Sequence, residues 1–165
     1  MTASDQGRTP PDSALAQELK QGKPFESLEV EAYLNLVRTN HLLEDNVACF
    51  LKKHGISVPQ YNVLRILRGA GEGGLPSLAV ADRMVTRVPD VTRLLERGAA
   101  KGWVLRERST TDGRVVMARI TPAGLALLET LDAPLLAHHD TLLGHLDNAE
   151  LKQLIALLEK ARGTS

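Results

Sequence analysis

The fold is decided by residues 78–124, LAVADRMVTRVPDVTRLLERGAAKGWVLRERSTTDGRVVMARITPAG. Apolar side chains recur at helical spacing in two short parts of this region, 78–85 and 89–101, which a tight turn separates. Pro89 suits the first position of the second helix, where a missing N–H costs nothing, and Gly102 ends that helix. Two short helices joined in this way predict a helix-turn-helix. In the first of them we expect the inward face to consist of Leu78, Ala81 and Met84 or Val85.

A β-hairpin follows the two helices. Residues 104–108 and 115–120 are the convincing strand candidates, and Asp112-Gly113 between them is a typical hairpin-turn dipeptide. Helix, turn, helix and hairpin in this order predict a winged helix-turn-helix, in which the second helix enters the major groove of DNA. The predicted fold class is mainly α with a small β-hairpin wing.

Longer helices are expected on both sides of this region. Apolar spacing predicts a helix over about 27–53, and further helices over about 122–146 and 148–162. The first 26 residues are rich in Pro, Gly, Ser, Gln and charge, and they predict a mobile tail with at most a helical turn around 14–20. Three cap signals open helices, namely Ser57 with Gln60, Thr121 before Pro122, and Asp147 with Glu150.

The second helix of the helix-turn-helix has two different faces. Its predicted inner stripe is Val91, Leu94, Leu95 and Gly98. A recognition helix needs this division, because one stripe packs on the domain while the other meets the bases. An ordinary amphipathic surface helix is the alternative. The candidate DNA-binding residues on this helix and just before it are Arg87, Pro89, Asp90, Thr92, Arg93 and Arg97.

Two roles are open for Asp90. Its carboxylate could accept a hydrogen bond from a cytosine amino group. It could equally be an acidic residue that the helix macrodipole favours at a helix N-terminus, and this second role is preferred.

The wing supplies a second set of candidates. An arginine at a hairpin tip can enter the minor groove, and Asp112 could hold the Arg114 guanidinium in place through a charge-assisted bond. Alternatively, Asp112-Gly113 only makes the turn and the arginines are solvated. The candidate wing residues are Arg106, Arg108, Ser109, Asp112 and Arg114.

Charge distribution and composition restrict the class of binding partner. The formal net charge is zero, yet residues 82–119 contain nine basic and five acidic residues against eleven and fifteen elsewhere. A basic segment in an acidic scaffold can concentrate positive potential on one face, although such an imbalance also arises by chance. Aromatic residues are only 3% of the chain, which argues against a stacking platform for RNA or single strands.

The region 78–124 resembles the core of the MarR (multiple antibiotic resistance regulator) family. The resemblance covers some 45 residues in the right order. The marks that carry it are Thr92-Arg93-Leu94, Lys101-Gly102, Arg106, Arg108, Asp112-x-Arg114 and Thr121-Pro122-x-Gly124. This sequence departs from the family at Gly98, where leucine is usual. The loss of that side chain is expected to loosen helix packing without touching the DNA face.

The resemblance implies a homodimer that binds a pseudo-palindromic operator in double-stranded DNA, most often as a repressor. It implies three parts: a tail over 1–26, a helical dimerisation lobe from 27–55 and 122–163, and a DNA-binding lobe over 56–121. The alternative is that the many leucines of the terminal helices fill a monomeric core.

The family also implies a crevice for a small anionic or phenolic ligand that releases the DNA. The residues that could line it are His41, Tyr61, Arg65 and His138. The alternative, that these are surface or internally satisfied side chains, is preferred on the residues alone.

Other modes of regulation have less support. Cys49 is expected to be a buried, inert thiol, although a redox response stays an alternative. No ligand motif supports a metal site, and no cofactor is expected. Nucleophile–base pairs and phosphate loops are lacking, so an enzyme is not expected. A winged-helix adaptor for proteins is the remaining alternative. Without an apolar run long enough for a bilayer or a signal peptide, the expected location is the cytoplasm.

Overall fold

We describe a computed structural model of the chain, in which residues 13–109 and 112–163 are placed. The chain divides into two compact units, one that ends at Asn46 and one that begins at Val47. The elements in chain order are α1 (Ala14–Glu18), α2 (Leu28–Lys53), α3 (Val58–Ala70), a 3-10 turn (Gly71–Gly73), β1 (Leu75–Pro76), α4 (Ser77–Asp82), α5 (Val91–Ala100), β2 (Val104–Arg108), β3 (Val116–Ile120), α6 (Pro122–Leu143) and α7 (Asn148–Ala161). The predicted fold class, mainly α with a small β wing, is confirmed.

The core of the unit that begins at Val47 is made of aliphatic side chains from its helices and sheet. Full burial of one such side chain stabilises the fold by about 1.5–3 kcal/mol, so a handful of them outweighs any polar contact described below. The largest fully buried side chains are Leu51, Leu64, Leu67, Val80, Leu95, Leu128 and Leu131.

The sheet has three antiparallel strands in the order β1-β3-β2. Val104 pairs with Ile120 and Arg108 with Val116, so β2 and β3 form the predicted hairpin. β1 was not predicted from the sequence. It is two residues long, and only its pairing of Leu75 with Ala118 on β3 makes it a strand.

The predicted helix starts are confirmed by their hydrogen bonds. The Ser57 hydroxyl accepts from the Gln60 amide at 3.4 Å, while the Gln60 side chain accepts from the Ser57 amide at 3.2 Å. Thr121 accepts from the Gly124 amide at 3.1 Å, where α6 begins. Asp147 and Glu150 form a second capping box, at α7. Each cap satisfies amides that the first helical turn leaves without an intrahelical partner.

The expected inward face of α4 was partly wrong. Leu78 is 75% exposed, and Val80 is fully buried in its place, with Met84 packed on the same core. The helix stops at Asp82, and the Val85 amide donates to the Asn62 side chain at 3.0 Å. Because the chain leaves the helix before Val85, that side chain is exposed as well.

Gly98 does not loosen the packing of α5, contrary to expectation. It is buried, and a Cβ placed on it would meet Cγ2 of Val104 at 3.0 Å. The glycine thus lets α5 approach β2 closely, and the Gly98 carbonyl accepts a hydrogen bond from the Trp103 amide.

Residues 13–26 contain the helical turn expected around 14–20, as α1, and they also contribute to a packed cluster. Ser13 caps α1, and Leu15, Ala16 and Phe25 are buried in a small cluster with Leu34 packed on it. Burial of these apolar side chains offsets the cost of ordering the segment. Residues 1–12 of the predicted tail lie outside the described part of the chain. Among the described helices, none is both long enough and apolar enough to cross a membrane.

Candidate nucleic-acid interface

The outer face of α5 carries the candidate recognition residues. The predicted inner stripe is buried, from Val91 to Gly98, by the core of the winged helix. Thr92, Arg93 and Arg97 are exposed on the opposite face, and so are Arg87 and Pro89 in the preceding turn. The helix thus has the two faces that a major-groove reader needs.

Pro89 and Asp90 lie two positions earlier relative to the helix start than predicted. α5 begins at Val91, and Asp90 is its N-cap, with a side-chain oxygen that accepts from the Arg93 amide at 2.9 Å. This bond requires non-helical backbone angles at Asp90, so Pro89 precedes the cap and is not the first helical residue. Asp90 therefore has a structural role at the helix start, as preferred from the sequence.

The wing tip is held by an Asx turn. The Asp112 carboxylate accepts from the Arg114 amide at 2.9 Å, and the Asp112 amide donates to the Ser109 hydroxyl at 3.3 Å. The predicted bond from Asp112 to the Arg114 guanidinium is not what holds the tip. A carboxylate two residues earlier reaches the backbone N–H more directly than the end of a long side chain. Arg108 and Arg114 are exposed beside this turn.

Arg106 does not face outward as a wing contact should. Its guanidinium pairs with Glu96 on α5, with 3.0 Å between Nη1 and Oε1, and its side chain is only 21% exposed. The strand alternation explains this, because Arg106 lies opposite the buried Ala118. Arg106 and Arg108 point to the same face of β2, but only Arg106 is partly covered, where it meets Glu96 of α5, whereas Arg108 is exposed.

Most of the remaining basic side chains in this region have no partner within the described chain. Lys101 donates to the Gly55 carbonyl at 2.8 Å, and Arg119 lies 4.0 Å from Glu107. Sequence reasoning did not single out Arg83 or Glu96, although both lie within the basic segment. Within residues 82–119, the exposed arginines whose guanidinium groups form neither a hydrogen bond nor an ion pair with the described residues are Arg83, Arg87, Arg93, Arg97, Arg108 and Arg114.

Two of the candidate ligand residues lie together on α3. Nη1 of Arg65 donates to the Tyr61 hydroxyl at 3.2 Å and lies 3.9 Å from Asp132 on α6. Asp132 itself forms a fork with Arg68, with bonds of 2.7 and 2.9 Å. The Arg68 guanidinium holds the pKa of Asp132 below its ordinary value, and Asp132 raises the pKa of Arg68. Neither Arg68 nor Asp132 was predicted, since their contact joins residues far apart in the chain.

The two candidate histidines have other neighbours. His138 on α6 stacks on Phe50, with ring centroids 4.9 Å apart. His41 belongs to the unit that ends at Asn46, where it lies 3.5 Å from Asp45 one helical turn away. Tyr61 and Arg65 thus contact each other, whereas His138 contacts Phe50 and His41 lies beside Asp45.

Cys49 is exposed, so the expectation of a buried thiol was wrong. It lies on α2 two residues before Leu51, which faces the core and is fully buried. Residues two apart point about 200° from each other around a helix, so only one of them can face the core. In the described part of the chain, no three His, Cys, Asp or Glu side chains are grouped so that they could hold a metal ion.

Known proteins match both the sequence and this geometry. The sequence profile described as the MarR family matches residues 54–115, from the end of α2 to the wing tip. The crystal structure of a MarR transcription factor from Planctomyces limnophilus is 41% identical, with a TM-score of 0.65, and the match covers 82% of this chain and 98% of that one. The chain belongs to the MarR family. It is a transcription regulator of the winged-helix class, and its relatives are regulators, not enzymes.

Two further relatives span most of this MarR-family regulator. The transcriptional regulator MhqR of Bacillus subtilis is 24% identical over 131 residues, which are 79% of this chain and 89% of that protein. MepR of S. aureus, solved as a complex with DNA, has a TM-score of 0.71 at 24% identity and covers 81% of this chain and 98% of its own. This second likeness shows that the two proteins share a fold.

Proposed function

We propose that this regulator is a repressor that binds a pseudo-palindromic operator in double-stranded DNA as a homodimer, and that a small ligand releases it. The observation that carries the DNA contact is the group of six exposed arginines on and around α5 and the wing. Unpartnered guanidinium groups of one sign repel each other, and a polyphosphate backbone would neutralise them.

The DNA contact proposed for each arginine follows from its position in the fold. Arg93 and Arg97 project from the outer face of α5, so they would enter the major groove with Thr92. Arg114, beside the turn made by Asp112, would reach the minor groove or the adjacent phosphates. Arg87, in the turn before α5, would contact the backbone. Arg106 is removed from this set, because Glu96 already holds it.

Exposed apolar side chains support the homodimer. We propose that 27–55 and 122–163 form the dimerisation lobe, and 56–121 the DNA-binding lobe. None of the residues of α7 is buried in the single chain, although the helix is rich in leucine. An apolar surface of this extent is uncommon on a monomer and indicates a partner. The large exposed hydrophobic residues on the proposed dimer helices include Tyr33, Leu36, Val37, Leu42, Leu136, Ile155 and Leu157.

We propose that the ligand binds at the Tyr61–Arg65 pair on α3. Tyr61 and Arg65 together offer a phenolic hydroxyl and a guanidinium that is half exposed, which suits a small anionic or phenolic compound. Asp132 competes for Arg65 at 3.9 Å, so an anionic ligand would have to displace a weak ion pair.

The test of DNA binding is a titration of labelled duplex at several salt concentrations. The duplex is first enriched from a random library by the wild-type protein. Arg114→Ala is expected to lower the slope of log K against log salt by about one unit for each bound protomer. Lys23→Ala is the control, since it removes an exposed positive charge outside both proposed lobes, and it should leave the slope unchanged.

The same samples test the dimer by sedimentation equilibrium. The expected mass is that of two 17.9 kDa chains. A protein that enriches no sequence would contradict operator binding. An unchanged slope would exclude Arg114 from phosphate contact, and a monomer on the DNA would contradict the pseudo-palindromic site.

A further inference from the structure

The ion pair between Glu96 and Arg106 joins the two parts of the surface that would meet DNA. Glu96 lies on the exposed side of α5, two residues before Gly98, and Arg106 lies on β2 at the base of the wing. Nη1 of Arg106 is 3.0 Å from Oε1 of Glu96. The pair therefore bridges the recognition helix and the wing, beside the close approach of Gly98 to Val104.

The surroundings of Arg106 suit a residue that joins α5 to the wing. Its side chain is mostly buried, and its Nε has no hydrogen-bond partner among the described residues. A buried donor without a partner costs stability, so arginine carries a local penalty at this position. A purely apolar residue would fill the same space under α5 without that penalty. The carboxylate is what makes arginine suitable here.

Glu96 has a second neighbour that it does not engage. Arg93 precedes it by three residues, so the two side chains are adjacent on the surface of α5 and suited to form an ion pair. In the structure Glu96 pairs with Arg106, and Arg93 has no ion pair within the described chain. Arg106 thus engages a carboxylate that lies on the same surface of α5 as a candidate base-reading arginine.

We propose that Glu96 and Arg106 are a positioning pair, which sets the spacing of recognition helix and wing and keeps Arg93 free. The inference rests on the proposed DNA binding. Its consequence concerns discrimination: the pair raises the affinity for operator more than the affinity for DNA of unrelated sequence. Loss of one well-placed exposed pair corresponds to roughly a fivefold change in an equilibrium constant.

The experiment measures the ratio of operator affinity to unrelated-duplex affinity, at one salt concentration, with the library-enriched duplex as the operator. Glu96→Gln and Arg106→Gln are each expected to lower this ratio roughly fivefold. Glu96→Gln removes a negative charge from the DNA face, so generic electrostatics alone would tighten binding to every sequence. The swap of Glu96→Arg with Arg106→Glu is expected to return the ratio to within about twofold of wild type.

A matched control lies on the wing itself. Glu107 and Arg119 form a looser pair, at 4.0 Å, between β2 and β3, and it does not involve α5. Glu107→Gln and Arg119→Gln make the same charge changes and are expected to leave the ratio unchanged. Thermal unfolding midpoints of all variants separate a change in discrimination from a loss of fold.

The outcomes separate the two proposals. If wild type enriches no sequence, operator binding fails, and this inference fails with it. If wild type discriminates and Glu96→Gln leaves the ratio unaltered, the positioning role alone is overturned. The same conclusion follows if the swap fails to restore the ratio, or if Arg119→Gln lowers it as much as Arg106→Gln does.

Discussion

Asp132 joins α6 to α3 through a fork that replacement of one carboxylate oxygen would weaken. Asp132→Asn keeps the shape of the side chain and removes its charge. The two bonds from Arg68 are 2.7 and 2.9 Å long, and the side chains of Asp132 and Arg68 are 41% and 29% exposed. Because the side chains are exposed to this degree, solvent screens the ion pair. We therefore expect it to contribute about 1 kcal/mol to the free energy of unfolding, the upper end for surface ion pairs.

The stability lost in Asp132→Asn should depend on pH, and it should be smaller in acid than at neutral pH. The hydrogen bonds from Arg68 lower the pKa of Asp132 below its ordinary value of 3.8. A group whose pKa is lower in the folded state stabilises the protein fully above the unfolded-state pKa. That stabilisation is lost as the pH falls through the folded-state pKa. The difference between wild type and Asp132→Asn should therefore be constant near neutral pH and shrink as the pH falls below 3.8.

Urea unfolding at fixed protein concentration measures this difference, because any dimer makes apparent stability concentration-dependent. At about pH 7 the expected loss is about 1 kcal/mol, or about 2–4 °C in Tm for a chain of this size. Glu18→Gln is the control: it weakens a single 3.1 Å contact with Arg38 between two half-exposed side chains, and it should cost less. A loss that is absent at neutral pH, or that persists undiminished in acid, would refute the reasoning.

Two further pairs of substitutions test the packing and capping that position the candidate interface. Gly124→Ala should destabilise the fold by about 1–3 kcal/mol, because its Cβ would meet the Trp103 carbonyl oxygen at 2.5 Å. Gly69→Ala in α3 is the control: there is open space around Gly69, so this change should be neutral or stabilise the fold by up to about 1 kcal/mol. Urea unfolding compares the two variants. Asp90→Ala should lower the free energy of unfolding by about 1 kcal/mol, because the cap of α5 is lost. Asp90→Asn keeps the hydrogen-bond acceptor, so its stability and the operator that it selects from a random library should match those of wild type. A different operator would show that Asp90 contacts a base.

Local signals in the sequence predicted the helix starts and the wing well. Ser57, Thr121 and Asp147 each act on amides within three residues, so their effect can be seen in a short stretch of sequence. The hairpin is equally local, since the turn at Asp112 joins strands that are adjacent in the chain. The inner stripe of α5 was correct for the same reason, because periodicity within ten residues defines it.

The errors concern contacts between distant residues. β1 exists only through β3, some forty residues later, and nothing in Leu75-Pro76 alone indicates it. Leu78 is exposed because Val80 and Met84 face the core, a choice that the surrounding helices make. Gly98 was thought to remove packing, since the sequence cannot show that Val104 occupies the space.

The arginines of the winged helix carry the distinction between a DNA-binding and a protein-binding module. From sequence all of them were equivalent basic residues, and Arg106 was counted with Arg108 and Arg114. The structure separates them into those held by carboxylates, as Arg106 is, and those left exposed around α5 and the wing tip. A protein partner would have to supply an acidic group for each of these guanidinium groups, because a charge buried at an interface without a partner is costly. A DNA duplex offers evenly spaced phosphates, and each free arginine that contacts one of them adds to the affinity. The distribution of partners among the arginines therefore favours DNA more strongly than their number does.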